Sequence, residues 1–384
     1  MKGLARAASI SDYRAIAQRR LPRVLFEYID GGSYEEVTLR RNVADLASLA
    51  LRQRVMRDMS ALDIAVETLG QKLSMPVALA PVGMAGMYAR RGETQAARAA
   101  ADAGVPFCLS TVGICSVEEV ARTGAAPWFQ LYVLRDRGYM RELLRRAKAA
   151  GSPVLLLTVD LPVPGARYRD IRSGFRGLKP LPDFINRSRD GLTHPLWLWD
   201  VWLHGRPHSL GSITGAMRDG HEVSDFLSWI ADNFDRSITW KDLEWIRAEW
   251  DGPLVIKGVL DPLDAREAVK AGAQGIVVSN HGGRQLDGVR SSISALPSVV
   301  DAVGADLEVY LDSGVRSGLD VLKALALGAK ACFIGRAWAY ALGAGGQAAV
   351  SRMLATLRSE LEVAMVLTGC KSTGEAGRAM LDTE

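Results

Sequence analysis

The 384-residue chain is predicted to be an α/β protein of the closed (β/α)8, or TIM-barrel, type. Eight apolar runs of strand length recur along it, amphipathic helical patterns lie between them, and nearly every run finishes in a polar or charged residue. Strands alternating with helices imply a parallel sheet covered by helices, and eight such repeats suit a barrel. A doubly wound open sheet is the structural competitor; it would leave the early and late strand ends far apart.

In order, the runs are MPVALAPVG (75–83), VPFCLST (105–111), PWFQLYV (127–133), PVLLLTVD (153–160), PLVIKGV (253–259), GIVVSNHG (275–282), EVYLDSGVR (308–316) and ACFIGR (331–336). Helical periodicity marks ETQAARAAADAG, YMRELLRRAKAAG, WKDLEWIRAEW and DPLDAREAVKAGA, and a recurring Ala-Gly before a strand fits a helix closed by a glycine cap. The reading is of one domain over 1–384: an extension over residues 1–70, a barrel over 71–370, and a long insertion after the fourth strand, 165–238. SISDYRAIAQRRLPRVLFEYIDGG in the extension reads as helices ending at Gly31-Gly32. The insertion is too long for an ordinary strand-to-helix loop and is dense in Trp, His and Gly.

Apolar content of 48% supports a large core, and 47 basic against 43 acidic residues is too even for a dedicated nucleic-acid binder. The four cysteines show no metal-ligand spacing and read as reduced core thiols; no metal is expected. Neither a signal-peptide core nor a bilayer-length apolar run is present, so a cytoplasmic protein is expected, with peripheral membrane contact left open.

The polar strand ends are Ser110; Gln130 and Tyr132; Thr158 and Asp160; Lys257; Ser279, His281 and Arg284; Asp312 and Arg316; and Gly335-Arg336. Each alone has a bland explanation, because strands must end in something hydrophilic. Together, a barrel would point them at one pocket. His194, His204, His208 and His221 all fall in the insertion, so His281 alone is placed to act as base there, with a carboxylate such as Asp160 to fix its tautomer. Lys257 lies within an apolar strand, where a cation is costly unless paired; it reads either as a Schiff-base nucleophile or as a fixed charge facing an electron-rich cofactor. The glycine-rich turns SGVRSG, with Gly314 and Arg316, and IGRA, with Gly335 and Arg336, each open a helix and predict a phosphate site.

These residues resemble the FMN-dependent α-hydroxy acid oxidase and dehydrogenase family. The likeness runs through FEYIDGG, SMPVALAPVG, FQLYVLRDRG, TVDLPVPGARYRD, TWKDLEWIR, VIKG, VSNHGGRQLDG, LDSGVRSGLDVLKALALGA and IGRA. LRRNVADLASLALRQRVM, PVGMAGMYARRGE and THPLWLWDVWLHGRPHSLG are most similar to the bacterial respiratory L-lactate dehydrogenases. Gly83 and Val112 stand where the related oxidases usually carry alanine and tryptophan.

The resemblance implies FMN as cofactor and a small 2-hydroxy acid, L-lactate, as substrate. It implies His281 as base oriented by Asp160, Arg167 and Arg284 on the substrate carboxylate, Tyr28 reaching in from the extension, and Tyr132 near the substrate hydroxyl. Lys257 would face the flavin N1–C2 region, which removes the Schiff-base reading. Ser110, Gln130, Thr158 and Ser279 would contact flavin and ribityl groups, Asp312 the ribityl chain, and Gly314, Arg316, Gly335 and Arg336 the phosphate. A homotetramer, a membrane electron acceptor and peripheral attachment to the cytoplasmic face of the inner membrane follow from the same resemblance. Trp197, Trp199 and Trp202 suit a membrane interface, so residues 180–225 are expected to lie on the membrane surface. The alternatives are an oxygen-reducing oxidase, a mandelate-type dehydrogenase, a barrel acting on a phosphosugar, and a flavin-binding scaffold without catalysis.

Overall fold

All eight apolar runs form strands in the computed structural model, which describes residues 3–175, 188–213 and 233–382. They are β1 (Val77–Leu79), β2 (Cys108–Ser110), β3 (Trp128–Tyr132), β4 (Leu155–Thr158), β5 (Leu254–Val259), β6 (Gly275–Val278), β7 (Glu308–Leu311) and β8 (Cys332–Ile334). Each pairs in parallel with its neighbour from β2 round to β8, and β8 pairs with β1. A parallel bridge between Leu79 and Phe107, with the Leu79 N–H donating to Pro106 O at 2.8 Å, joins β1 to β2. The ring is therefore closed, and the open-sheet competitor is excluded.

Closure explains why the strands read as continuous apolar runs: both faces are buried. Ala78, Cys108, Trp128, Leu156, Val255, Val277, Tyr310 and Phe333 form one cluster, while their chain neighbours, such as Leu79, Leu109, Phe129, Leu157, Ile256 and Val278, belong to the larger one under the helices. The amino-terminal end of the barrel is plugged by a hairpin, Val66–Thr68 with Gln71–Leu73. Thr68 and Tyr310 hydroxyls meet at 2.5 Å, Leu69 N–H reaches Glu308 Oε1 at 3.1 Å, and Trp128 Nε1 donates to Gln71 Oε1 at 3.2 Å.

The helices number α1 (Ile10–Arg20), α2 (Arg23–Asp30), α3 (Val37–Ser48), α4 (Gly92–Asp102), α5 (Val117–Ala121), α6 (Arg137–Ala149), α7 (Leu243–Glu249), α8 (Pro262–Lys270), α9 (Ser292–Val303), α10 (Gly318–Ala326) and α11 (Arg336–Thr368, bent at Gly345-Gly346). The Ala-Gly signal holds: Gly104, Gly151 and Gly272, each just after a helix, have φ of 67°, 77° and 74°. α1 packs on α11, and α2 ends at Gly31-Gly32 over the carboxyl-end mouth. There Asp30 collects Arg14 Nε at 2.6 Å, the Tyr340 hydroxyl at 2.7 Å and Arg169 Nη2 at 2.8 Å, tying four segments together. Burial works against the Asp30 charge, but these donors outweigh it and hold its pKa well below the ordinary carboxylate value.

In the insertion, Pro195–Trp197 runs into a π-helical turn, Leu198–Leu203. His221 and residues 180–187 and 214–225 of the expected membrane segment lie outside the described residues.

Candidate active site

The strand ends converge on a cavity of about 1140 Å³, open solvent at its mouth included, in the carboxyl-end face of the barrel. Tyr132 and Thr158 reach its wall from β3 and β4, Lys257 from β5, and His281 and Arg284 from the loop after β6. Asp312, Gly314 and Arg316 come from the turn after β7, and Gly335 and Arg336 from the turn after β8. Tyr28 enters from α2 and Arg167 from the start of the insertion. Ser110, Gln130, Ser279 and Asp160 are not part of this lining, although Ser279 bonds to Lys257 and Asp160 to His281. Asp160 and Ser279 instead border a second cavity, which shares Pro164 with the first.

His281 sits at φ 57°, a left-handed conformation that few non-glycine residues adopt and that is held here by its surroundings. Its N–H donates to Ser279 Oγ at 3.0 Å, and its Nδ1 faces Asp160 Oδ1 at 2.9 Å. Nδ1 is thereby the protonated nitrogen, and Nε2 is left as the basic one. Burial pulls the His281 pKa below 6.5 and wins over the opposing pull of Asp160, so the imidazole is neutral at pH 7 and able to accept a proton. For Asp160 the balance is opposite. Burial raises its pKa, but His281 and then Lys257 outweigh that, and it stays ionised.

Lys257 is buried and paired: Nζ lies 2.8 Å from Asp312 Oδ2 and donates to Ser279 Oγ at 2.9 Å. Burial disfavours its charge, yet Asp312 and Asp160 raise its pKa above the ordinary lysine value. A charged lysine is a poor amine nucleophile, which agrees with the fixed-charge reading.

Two guanidinium groups line the same cavity as the histidine. Arg284 lies over the Tyr28 ring, 4.7 Å from its centroid, and Arg167 lies 5.9 Å from the same ring. Arg284 Nη1 donates to the carbonyls of Tyr28 and Gly31 at 2.5 and 2.9 Å, and Arg167 Nε donates to Arg284 O at 3.3 Å. Burial and then Arg284 lower the Arg167 pKa, and Asp170, whose Oδ2 lies 3.8 Å from Arg167 Nη1, only partly offsets them. Burial, then Asp160, raise that of Tyr132, which remains a phenol able to donate. A Cβ on Gly83 would come 2.9 Å from Val112 Cγ2 but only into ordinary contact with the Tyr28 hydroxyl at 3.5 Å, so the glycine leaves the space that Val112 occupies.

Three buried polar atoms among the strand ends lack any protein partner: Thr158 Oγ1, Asp160 Oδ2, and Nε2 of Gln130, whose Oε1 is taken by Ser110 at 3.1 Å. Orphaned buried donors of this kind mark a place for a ligand. A carboxamide N–H, a hydroxyl and an ammonium group within three neighbouring strands match the polar edge of a flavin. At the far end, Gly335 provides no side-chain cap for α11. Arg316 spends Nη1 on Val315 O, whereas Arg336 donates to Ile29, Gly31 and Gly282 carbonyls at 3.0, 2.8 and 2.8 Å. Burial lowers the Arg336 pKa to about 9.

The residues that hold the site in place were not read from the sequence. Asn42 and Asn280 exchange amide hydrogen bonds at 2.8 and 2.7 Å, fastening α3 to the residue before His281. Asp287 accepts from Val37 and Thr38 N–H at 3.1 and 2.7 Å, capping α3 from the loop after β6. Phe175 and Phe234 pack on Tyr28 and Tyr132 at 4.8 and 5.0 Å. NHGGRQLD carried the only local hint, because it has more polar residues than a turn needs.

A model of the FMN-dependent dehydrogenase family matches residues 17–383. The L-lactate dehydrogenase of Chromohalobacter salexigens is 58% identical over 374 residues, covering 97% of this chain and 95% of that protein. The L-lactate dehydrogenase of Pseudomonas aeruginosa strain LESB58 is 60% identical over 366 residues, covering 95% of each. The crystal structure of the monotopic membrane protein (S)-mandelate dehydrogenase superposes with a TM-score of 0.92 at 33% identity, covering 99% of this chain and 100% of that one. The chain belongs to the FMN-dependent dehydrogenases, and its cofactor is FMN.

Proposed function

We propose that this protein oxidises L-lactate to pyruvate and passes the electrons to a quinone or cytochrome acceptor at a membrane. One observation carries the reading: a neutral imidazole, anchored by a carboxylate, shares a cavity with two guanidinium groups. Bound FMN supplies the two-electron acceptor. Arg167 and Arg284 hold the substrate carboxylate by charge-assisted hydrogen bonds, and Tyr28 closes the same end. Tyr132 donates to the substrate hydroxyl. His281 Nε2 takes the hydroxyl proton, and Asp160 stabilises the imidazolium that results. Lys257, kept charged by Asp312, offers a cation to the pyrimidine side of the flavin. Gln130, Thr158, Ser110 and Ser279 hold or back that side, Asp312 meets the ribityl chain, and the turns at Gly314-Arg316 and Gly335-Arg336 take the phosphate.

Lactate is favoured over larger substrates by relatives named L-lactate dehydrogenase at 58 and 60% identity over nearly the whole chain. The fold likeness to (S)-mandelate dehydrogenase supports the second reading, an aryl 2-hydroxy acid. Anaerobic addition of L-lactate, D-lactate, glycolate or (S)-mandelate to the yellow holoenzyme separates them. L-lactate is expected to bleach the flavin fastest; faster bleaching by mandelate would replace the first reading with the second.

Among the described residues no helix is long and apolar enough to cross a membrane. Membrane contact is assigned instead to an exposed apolar stripe on the insertion, formed by Leu192, Leu196, Trp199 and Leu203. Trp197 and Trp202 pack inward, with Trp197 Nε1 donating to Met87 O at 2.8 Å and Trp202 stacked on His208 at 4.9 Å. Peripheral attachment at the cytoplasmic face and a homotetrameric assembly complete the proposal.

A further inference from the structure

We propose that Gln285 is a positioning residue, a latch that locks the loop carrying the base to the loop carrying its carboxylate and one substrate arginine. Its amide Nε2 donates to Asp160 O and to Val163 O, both at 2.9 Å, and its Oε1 accepts the Gly165 N–H at 3.1 Å. One side chain on the loop after β6 thus fixes three backbone points on the loop after β4. Apart from the His281–Asp160 and Arg167–Arg284 hydrogen bonds, the two loops meet in close contact: a Cβ on Gly165 would lie 2.4 Å from Arg284 O.

Asp160 needs such a latch. Its Oδ1 meets His281, while Oδ2 is buried and has no hydrogen-bond partner. No second side-chain bond therefore fixes the plane of the carboxylate, and the backbone must do so. One side of that backbone is set by β5, where Gly258 at φ 112° leaves room for Asp160; a Cβ there would lie 2.6 Å from Asp160 Cβ. Gln285 sets the other side. Further along the same loop, Arg167 follows Gly165 by two residues and reaches back to Arg284 O. Losing the latch therefore loosens the base–carboxylate pair and the carboxylate clamp together. A displacement of about 1 Å at such a site costs on the order of a hundredfold in rate.

The inference rests on the hydroxy acid reading, so its test includes a measurement that needs no turnover. Holoenzymes carrying Gln285→Met and Gln285→Glu would be compared with the unaltered protein for FMN content, for oxalate binding seen as a perturbation of the flavin spectrum, and for kcat/KM on L-lactate against pH. FMN content should be unchanged. Oxalate should bind roughly tenfold more weakly to Gln285→Met, and kcat/KM should fall roughly tenfold to a hundredfold. Gln285→Glu places a carboxylate against two carbonyl oxygens and should be worse than Gln285→Met near pH 8. Protonation returns one donor, so the ratio of Glu to Met activity should rise as the pH falls. A generic loss of structure does not produce that rise. Wild-type oxalate affinity in both variants, or activity lost only in proportion to lost FMN, would overturn the latch. If the unaltered protein oxidises no 2-hydroxy acid, the functional reading fails, and oxalate binding alone decides the latch.

Discussion

The loop after β6 and the described part of the insertion after β4 both leave the carboxyl-end rim of the barrel, yet they treat polarity in opposite ways. The first connects its polar side chains to the rest of the protein: His281 to Asp160, Arg284 to the carbonyls of α2, Asp287 to α3 and Gln285 to the neighbouring loop. The second turns apolar side chains outward, with Leu196 72% and Trp199 64% exposed. Buried charge is costly unless each group is paired, and a contiguous exposed apolar patch commonly marks a contact surface. The difference teaches a division of labour. On the proposed function, the first segment holds a geometry for proton transfer and the second meets a membrane surface.

The sharpest way to break the first half of that comparison is Asp160→Asn. The imidazolium loses its counter-charge, and the new carboxamide N–H can donate to Nδ1 and favour the wrong tautomer, so kcat should fall roughly a hundredfold to ten-thousandfold with FMN retained. The pH profile of the unaltered enzyme sharpens it further. A base whose pKa lies below the ordinary histidine value works above that pKa and fails below it, so kcat/KM should be level at neutral pH and fall as the medium turns acid. Removing the carboxylate removes the contribution that raises the His281 pKa, so the acid limb should move to lower pH. A limb that moves upward instead would show the wrong sign of coupling.

For the second half, Leu196→Ser combined with Trp199→Ser should lower partitioning onto anionic lipid vesicles at least roughly tenfold, given about 1.5–3 kcal/mol for each large apolar side chain withdrawn from water. Turnover with a soluble dye acceptor should not change. Equal sedimentation of both proteins with vesicles would contradict the stripe. The smallest effect expected is that of Asp287→Ala, which uncaps α3 and should cost about 1 kcal/mol, read as a slightly lower melting temperature.

The strands were legible because burial on both faces leaves an unbroken apolar run, and His281 because the four other histidines crowd the insertion. The convergence of Lys257 with Asp312 followed from strand ends alone once eight were counted. The latches were not legible, because Asn42–Asn280 and Val37–Asp287 are partners 238 and 250 residues apart with no periodic signal. The plugging hairpin at 66–73 was also missed; its strands are only three residues each. Nor could the sequence separate the tryptophans. Their separation is seen only once the exposed face is known: Leu192, Leu196, Trp199 and Leu203 recur at helical spacing, and Trp197 and Trp202 fall off that face.

The central claim, that His281 is the base on which oxidation depends, is tested most directly by rapid anaerobic mixing of His281→Gln holoenzyme with L-lactate. The variant should carry FMN and bind oxalate, yet stay yellow over times in which the unaltered enzyme bleaches completely. Bleaching at a comparable rate would place the base elsewhere and contradict the account.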